Sequence, residues 1–193
     1  MTDRQSPLRV LGISGSLRRG SLNSAALRAT KGLAPVGMDI EIFDIGGIPL
    51  YNEDIRAEGL PDSVQALRGA IAGADGLLIV TPEYNYSIPG VLKNVIDWAS
   101  RPPQQPFDDK PIAIMGASPG ALGSARAQYH LRQCFVSLNG LILNRPEVMI
   151  GQANSKFDQQ GNLTDQKTTD FLRTFLESFA GHIRYHQSAN PGI

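Results

Sequence analysis

Cysteine is almost missing from this chain, since Cys134 is the only one in 193 residues. A single thiol excludes an internal disulfide framework, an iron–sulfur cluster held by several cysteines, and a CxxC redox pair. Histidine is scarce as well: there are three, and none has a carboxylate or cysteine at the spacing a metal cluster needs. An excess of one charge is also lacking. The 18 basic and 18 acidic residues cancel, so neither nucleic acid nor an anionic membrane surface is indicated as a partner. No apolar run reaches transmembrane length, and the opening MTDRQSPLRV has no signal-peptide core. These absences read as a soluble cytoplasmic protein, and the length suits one domain, 1–193, with a sizeable core.

What is present is an alternation. Strand-like apolar runs fall at 8–14, 39–45, 76–82, 111–118 and 140–150, and three of them are almost continuously apolar, as strands covered on both faces are. Helical patterns lie between them at 21–31, 61–72 and 121–138. VLKNVIDWA carries Val91, Leu92, Val95, Ile96 and Ala99 on one face; FLRTFLESF does the same with Phe171, Leu172, Phe175, Leu176 and Phe179. Segments 101–109 and 154–162 are punctuated surface loops. Five strand–helix units of this kind predict an α/β, flavodoxin-like, doubly wound five-stranded parallel sheet of order 2-1-3-4-5, with helices on both faces. Ligands of such sheets sit beyond the carboxyl ends of the strands.

The first strand ends in GISGSLRRGSLN, close to a triphosphate-binding loop but with Ser21 where the lysine belongs and Leu22 at the Mg²⁺-ligand position. The glycine spacing also misses the dinucleotide fingerprint. The loop offers neutral donors at Ser14, Ser16, Ser21 and Asn23, charge at Arg18 and Arg19, and a helix start that favours anions. Such donors suit a terminal phosphate monoester without a metal. They equally suit plain helix capping by Ser21 or Asn23. The third strand ends in TPEYNYSIPG, where Pro82 and Pro89 bracket a bulge carrying Glu83, Tyr84, Asn85 and Tyr86. A flat heteroaromatic ring would match that combination, and so would an ordinary loop whose tyrosines pack on the next helix.

The fourth strand ends in GASPGALGS, a match to the G-x-S-x-G nucleophile elbow of serine hydrolases, with Asp170 and His182 or His186 in the right chain order. Pro119 opposes that reading, because the residue after the nucleophile must donate an N–H to the oxyanion. Cys134 reads as a core residue, His130 as a surface or interface residue, and Asp44 as a turn residue.

Taken in order, GSLRRGSLN, PEYNYSIPGVLKNVIDW and GASPGALGSARAQYHLRQ resemble the NAD(P)H-dependent FMN reductase family, in its quinone and chromate reductase branch. The resemblance runs from about residue 8 to residue 147. It implies noncovalently and tightly bound FMN, with NAD(P)H as donor and a quinone, chromate or another small oxidant as acceptor, by hydride transfer through flavin N5. By motif match, Ser16, Arg18, Ser21, Leu22 and Asn23 would surround the FMN phosphate. Pro82, Glu83, Tyr84 and Asn85 would line the isoalloxazine, and Ser118 would lie near the ring. No catalytic side chain and no metal ligand is implied, because the cofactor carries the chemistry. The resemblance also implies a homodimer or homotetramer with the flavin near a subunit interface. A nonenzymatic flavodoxin-type electron carrier is the remaining alternative; such carriers are strongly acidic, whereas this chain is neutral.

Overall fold

The computed structural model describes residues 6–189; residues 1–5, the start of the N-terminal stretch scanned above for a leader, lie outside it, as do 190–193. The apolar runs form parallel strands β1 (Leu8–Ser14), β2 (Met38–Phe43), β3 (Gly76–Val80) and β4 (Pro111–Ala117). They pair in the order β2-β1-β3-β4, with Leu8 opposite Met38, Val10 opposite Gly76 and Leu77 opposite Ile112. The fifth position is shared. The single strand expected over 140–150 is two short pieces, β5 (Leu141–Ile142) beside Pro111 and Ile112, and β6 (Val148–Ile150) beside Met115 to Ala117. The break contains Pro146, which has no N–H to give a ladder. With β5 and β6 occupying one place, the sheet is flavodoxin-like with order 2-1-3-4-5.

Successive side chains of each strand point to opposite faces, so β1, β3 and β4 feed two cores at once. Val10, Leu78, Val80, Ala113 and Met115 face one; Leu11, Ile13, Leu77, Ile79 and Ile114 face the other. The first core is covered by α1 (Leu22–Leu33) and the long α6 (Gln166–Ala189). The second is covered by α3 (Asp62–Gly73), α4 (Gly90–Ala99) and α5 (Ala125–Cys134). A short α2 (Glu53–Glu58), capped by Asn52, was not anticipated.

Several side chains differ from their expected places. On α6, Leu172, Phe175, Leu176 and Phe179 are buried as expected, but Phe171 is 42% exposed. Its helical phase puts it on the rim beside Pro146 and Glu147. On α4, Val91 is only partly buried, whereas Trp98 is fully buried and donates from its indole to the Pro49 carbonyl at 2.8 Å. The expected helix over 121–138 is shorter, because 121–124 is a turn and the helix ends at Cys134. Loop 101–109 is anchored at its end, with Phe107 buried against Phe135. Cys134 is only partly buried; burial still pushes its thiol up, which disfavours a thiolate. Among the described residues, no helix is long and apolar enough to cross a membrane.

The phase of α6 is testable. Phe179→Ala is expected to cost about 3–5 kcal/mol of stability and Phe171→Ala under about 1 kcal/mol, read by urea denaturation. Equal costs would mean the helix is rotated from the orientation described.

Candidate functional site

Three loops converge at the carboxyl edge of β1, β3 and β4, and hydrogen bonds fix their spacing. Gly15 donates to the Val80 carbonyl at 2.8 Å and Thr81 donates to Met115 at 2.9 Å. Asn23 joins the first loop to the fourth: its carboxamide donates to the Ala117 carbonyl at 2.9 Å and accepts the Ala117 N–H at 2.8 Å. Asn23 was expected to offer its side chain as a donor. That side chain is instead buried and committed to β4, and what it leaves open is its backbone N–H.

The start of α1 is suited to an anion. Ser21 caps it, accepting the Ser24 N–H at 3.2 Å on its hydroxyl and the Ala25 N–H on its carbonyl. A helix leaves its first four N–H groups without intrahelical partners. Of these, the Ser24 N–H goes to the Ser21 hydroxyl and that of Ser21 to the Arg18 carbonyl, so those of Leu22 and Asn23 have no protein acceptor among the described residues. No acidic residue lies in the first turn. Arg18 is exposed, its guanidinium folded back toward Gly20, and it has no acceptor among the described residues. Ser16 receives the Arg18 N–H on its hydroxyl at 3.4 Å. Beside this loop, between α1 and the end of β2, is a cleft of about 440 Å³ lined by Ser14, Arg18, Arg19 and Asp44. Asp44 accepts the Gly46 N–H at 2.9 Å, which makes it a turn residue.

After β3, Pro82 is buried and the chain turns out of the sheet. Tyr84 and Ser87 exchange both backbone hydrogen bonds at 3.0 Å, enclosing Asn85 (φ 49°) and Tyr86 (φ 70°). Both tyrosine rings are exposed. Glu83 points elsewhere. Its side chain is 9% exposed and reaches the start of α5, pairing with the Arg126 guanidinium and accepting the N–H groups of Arg126 (3.1 Å) and Ala127 (3.3 Å). Ser124, at the cap position of α5, makes no side-chain cap, so Glu83 supplies it from 43 residues away. Burial pushes the Glu83 carboxyl up, but the bonds from Arg126 and Ala127 outweigh it and hold the group below its ordinary value. The guanidinium of Arg126 also lies over the Tyr86 ring, 3.7 Å from its centroid.

The fourth loop is locked into its own structure. Ser118 donates its hydroxyl to the Gly120 carbonyl and accepts the Gly123 N–H on it, both at 3.1 Å. Its backbone bonds to Ile150 and Ala153. A Cβ on Gly116 would stand 1.8 Å from the Ser124 hydroxyl and 2.4 Å from the Thr81 carbonyl, which is why that position is glycine. The histidines do not meet Ser118. His186 lines a cavity of about 480 Å³ with Arg9, Asp75, Lys110 and Pro111, at the opposite end of β4, and His182 bonds the Leu141 carbonyl. At 3.3 Å per residue that end is about 20 Å from Ser118. The hydrolase constellation is therefore not assembled. His130 is exposed and bonds the Ser87 hydroxyl at 2.9 Å.

Arg126 and His130 were not assigned to the site from sequence. Both belong to α5 yet act on a loop some 40 residues earlier, and no local spacing reports such a contact.

Comparison with known proteins is specific. A protein-family model described as NADPH-dependent FMN reductase matches residues 8–155. An NAD(P)H-dependent FMN reductase of Pseudomonas aeruginosa is 58% identical over 177 residues, covering 92% of this chain and 96% of that protein. A quinone reductase of Escherichia coli K12 is 47% identical over 180 residues, covering 92% and 96%. Among solved structures, the flavoenzyme NAD(P)H:(acceptor) oxidoreductase FerB of Paracoccus denitrificans superposes with a TM-score of 0.85 at 38% identity, covering 93% of this chain and 98% of that one.

The Glu83 cap gives a pH-dependent expectation. Because its folded pKa lies below the unfolded value, the group contributes stability above the ordinary carboxylate range. That contribution is lost as pH falls through the folded value. Glu83→Gln is expected to cost about 1–2 kcal/mol at neutral pH. The gap between wild type and variant should shrink below about pH 4.3. Denaturation at several pH values measures it, and a gap independent of pH would remove the carboxylate from this role.

Proposed function

The chain belongs to the NADPH-dependent FMN reductase family, and from that membership we propose the following division of work among its residues. The protein is an NAD(P)H-dependent FMN reductase of the quinone-reductase type. When bound, FMN would supply the redox chemistry between NAD(P)H and a quinone, and the protein's residues hold and orient it. The residues present fit this cofactor. The observation that carries the proposal is the pairing of an anion-receptive helix start with a polar and aromatic turn on adjacent strands, with no acidic group in the first turn of α1.

In this reading the backbone N–H groups of Leu22 and Asn23, the hydroxyls of Ser16 and Ser21, and the Arg18 guanidinium hold the flavin phosphate. Ser21 does this while capping α1, and the Asn23 side chain acts only by holding the helix start against β4. Pro82, Tyr84, Asn85 and the backbone of Glu83 line the isoalloxazine, with the Glu83 carboxylate acting through α5. Ser118 lies near the ring as the residue that shapes the fourth loop. Open solvent on the tyrosine side leaves room for a nicotinamide and then an oxidant to occupy the ring face in turn. The acceptor range extends to chromate and other small oxidants. One FMN-binding domain spans 1–193, works in the cytoplasm, and assembles as a homodimer or homotetramer. Light scattering of the purified protein reads the mass, and a monomer would remove the assembly from the proposal.

The purified protein is expected to be yellow, releasing about one FMN per chain on acid treatment and oxidising NAD(P)H when a quinone is added. Arg18→Ala should weaken FMN binding about ten- to hundredfold, the worth of a charge-assisted hydrogen bond, and leave riboflavin binding unchanged. Protein that takes up no FMN would sink the reading; equal FMN affinity in wild type and Arg18→Ala would remove Arg18 alone.

A further inference from the structure

The turn over 84–87 conflicts with the residue preferences of its own geometry. A two-residue turn with positive φ at both central positions favours Asn followed by Gly. Asn85 suits the first position at φ 49°, but the second is Tyr86 at φ 70°. Its ring is 65% exposed, so core packing does not account for it.

The account lies on α5, which holds this loop at three points. Before the turn, Glu83 pairs with the Arg126 guanidinium and accepts the N–H groups of Arg126 and Ala127. At its tip, the same guanidinium stacks on the Tyr86 ring at 3.7 Å. After it, Ser87 bonds His130, one helical turn further along α5. Arg126 takes part in the first two. Its Nε is buried without a partner, so the ion pair and the ring stack hold the guanidinium in place of a full set of hydrogen bonds.

We propose that Arg126 is a positioning residue for the flavin ring: its guanidinium, fixed between Glu83 and the Tyr86 ring, keeps the left-handed turn in the form that presents the ring-binding backbone. The inference rests on the FMN reading above. It separates the ring site from the phosphate site, because the turn follows β3 and Arg126 stands in the first turn of α5, while the phosphate donors lie between β1 and the first turn of α1. Lysine preserves charge but lacks the planar face, so it replaces only part of the function.

Apo-protein titration with FMN and with riboflavin tests this without reference to turnover. Arg126→Met is expected to weaken both flavins by the same factor, about tenfold, with Arg126→Lys intermediate. The near-ultraviolet circular dichroism of the tyrosines should change in the same variants. Tyr86→Leu, which removes the stack and keeps the Glu83 pair, should also weaken both flavins equally, and it carries the test if Arg126→Met does not fold. Unchanged affinities in folded Arg126→Met or in Tyr86→Leu would overturn the proposal. So would weakened FMN binding with riboflavin unaffected, since that places Arg126 on the phosphate. Wild-type protein that binds neither flavin would sink the FMN reading itself, whereas wild-type uptake with unchanged variants sinks only the role of Arg126.

Discussion

The site depends on one buried amide. β3 stops pairing with β4 where Pro82 takes the chain out of the sheet, and proline has no N–H to continue the ladder. The N–H and C=O of Ala117 are then left inside the protein without a strand to meet. Each such group unsatisfied would cost about 1–3 kcal/mol. The carboxamide of Asn23 meets both, at 2.8 and 2.9 Å, acting as one residue's worth of missing strand. Because Asn23 is also the second residue of α1, the bond that completes β4 fixes where the helix starts. The direction in which the Leu22 and Asn23 N–H groups face follows from that placement. An alanine there would leave two buried backbone groups unpaired and the helix start free to shift.

This coupling explains how much of the molecule was legible in its sequence. The strand order and the three loops follow from apolar periodicity and from glycine and proline positions, which are local signals. The split of the fifth strand was signalled locally by Pro146, but a continuous apolar pattern on both sides concealed it. Phe171 shared the apolar periodicity of its neighbours, and only the packing of α6 decided that it lies on the rim. Within the site, residue types were legible and side-chain commitments were not. Asn23 answers to a residue 94 positions away and Glu83 to one 43 positions away. Their chemistry as donor and acid is visible in the chain, but their partners are set by strand order.

The G-x-S-x-G stretch shows the same distinction from the other side. Its glycine is required because Ser124 and the Thr81 carbonyl occupy the space of a side chain. Its serine is required because the hydroxyl bonds Gly120 and Gly123 across the turn. A sharp strand-to-helix turn therefore selects the letters of a nucleophile motif for steric and hydrogen-bonding reasons alone. With Pro119 following and the histidines at the far end of β4, nothing adjacent turns that serine into a nucleophile.

A protein that leaves the chemistry to a cofactor has to supply rigidity, and the cost of rigidity is visible at Tyr86. A non-glycine residue held at positive φ costs roughly 1–3 kcal/mol. The stacked Arg126 returns about 0.5–2 kcal/mol, and its pairing with the nine-tenths-buried Glu83 adds to that. These terms are of similar size, so the turn is held near balance before any ligand arrives. Strain of this kind, offset in the free protein, is strain that binding does not have to supply. The same logic runs through Asn23 and Ser118: each spends its side chain on protein geometry so that backbone groups and loop shape are ready. Asn23, Glu83 and Ser118 therefore act as scaffolding, whereas the exposed Arg18 guanidinium, folded back toward Gly20, has no acceptor among the described residues.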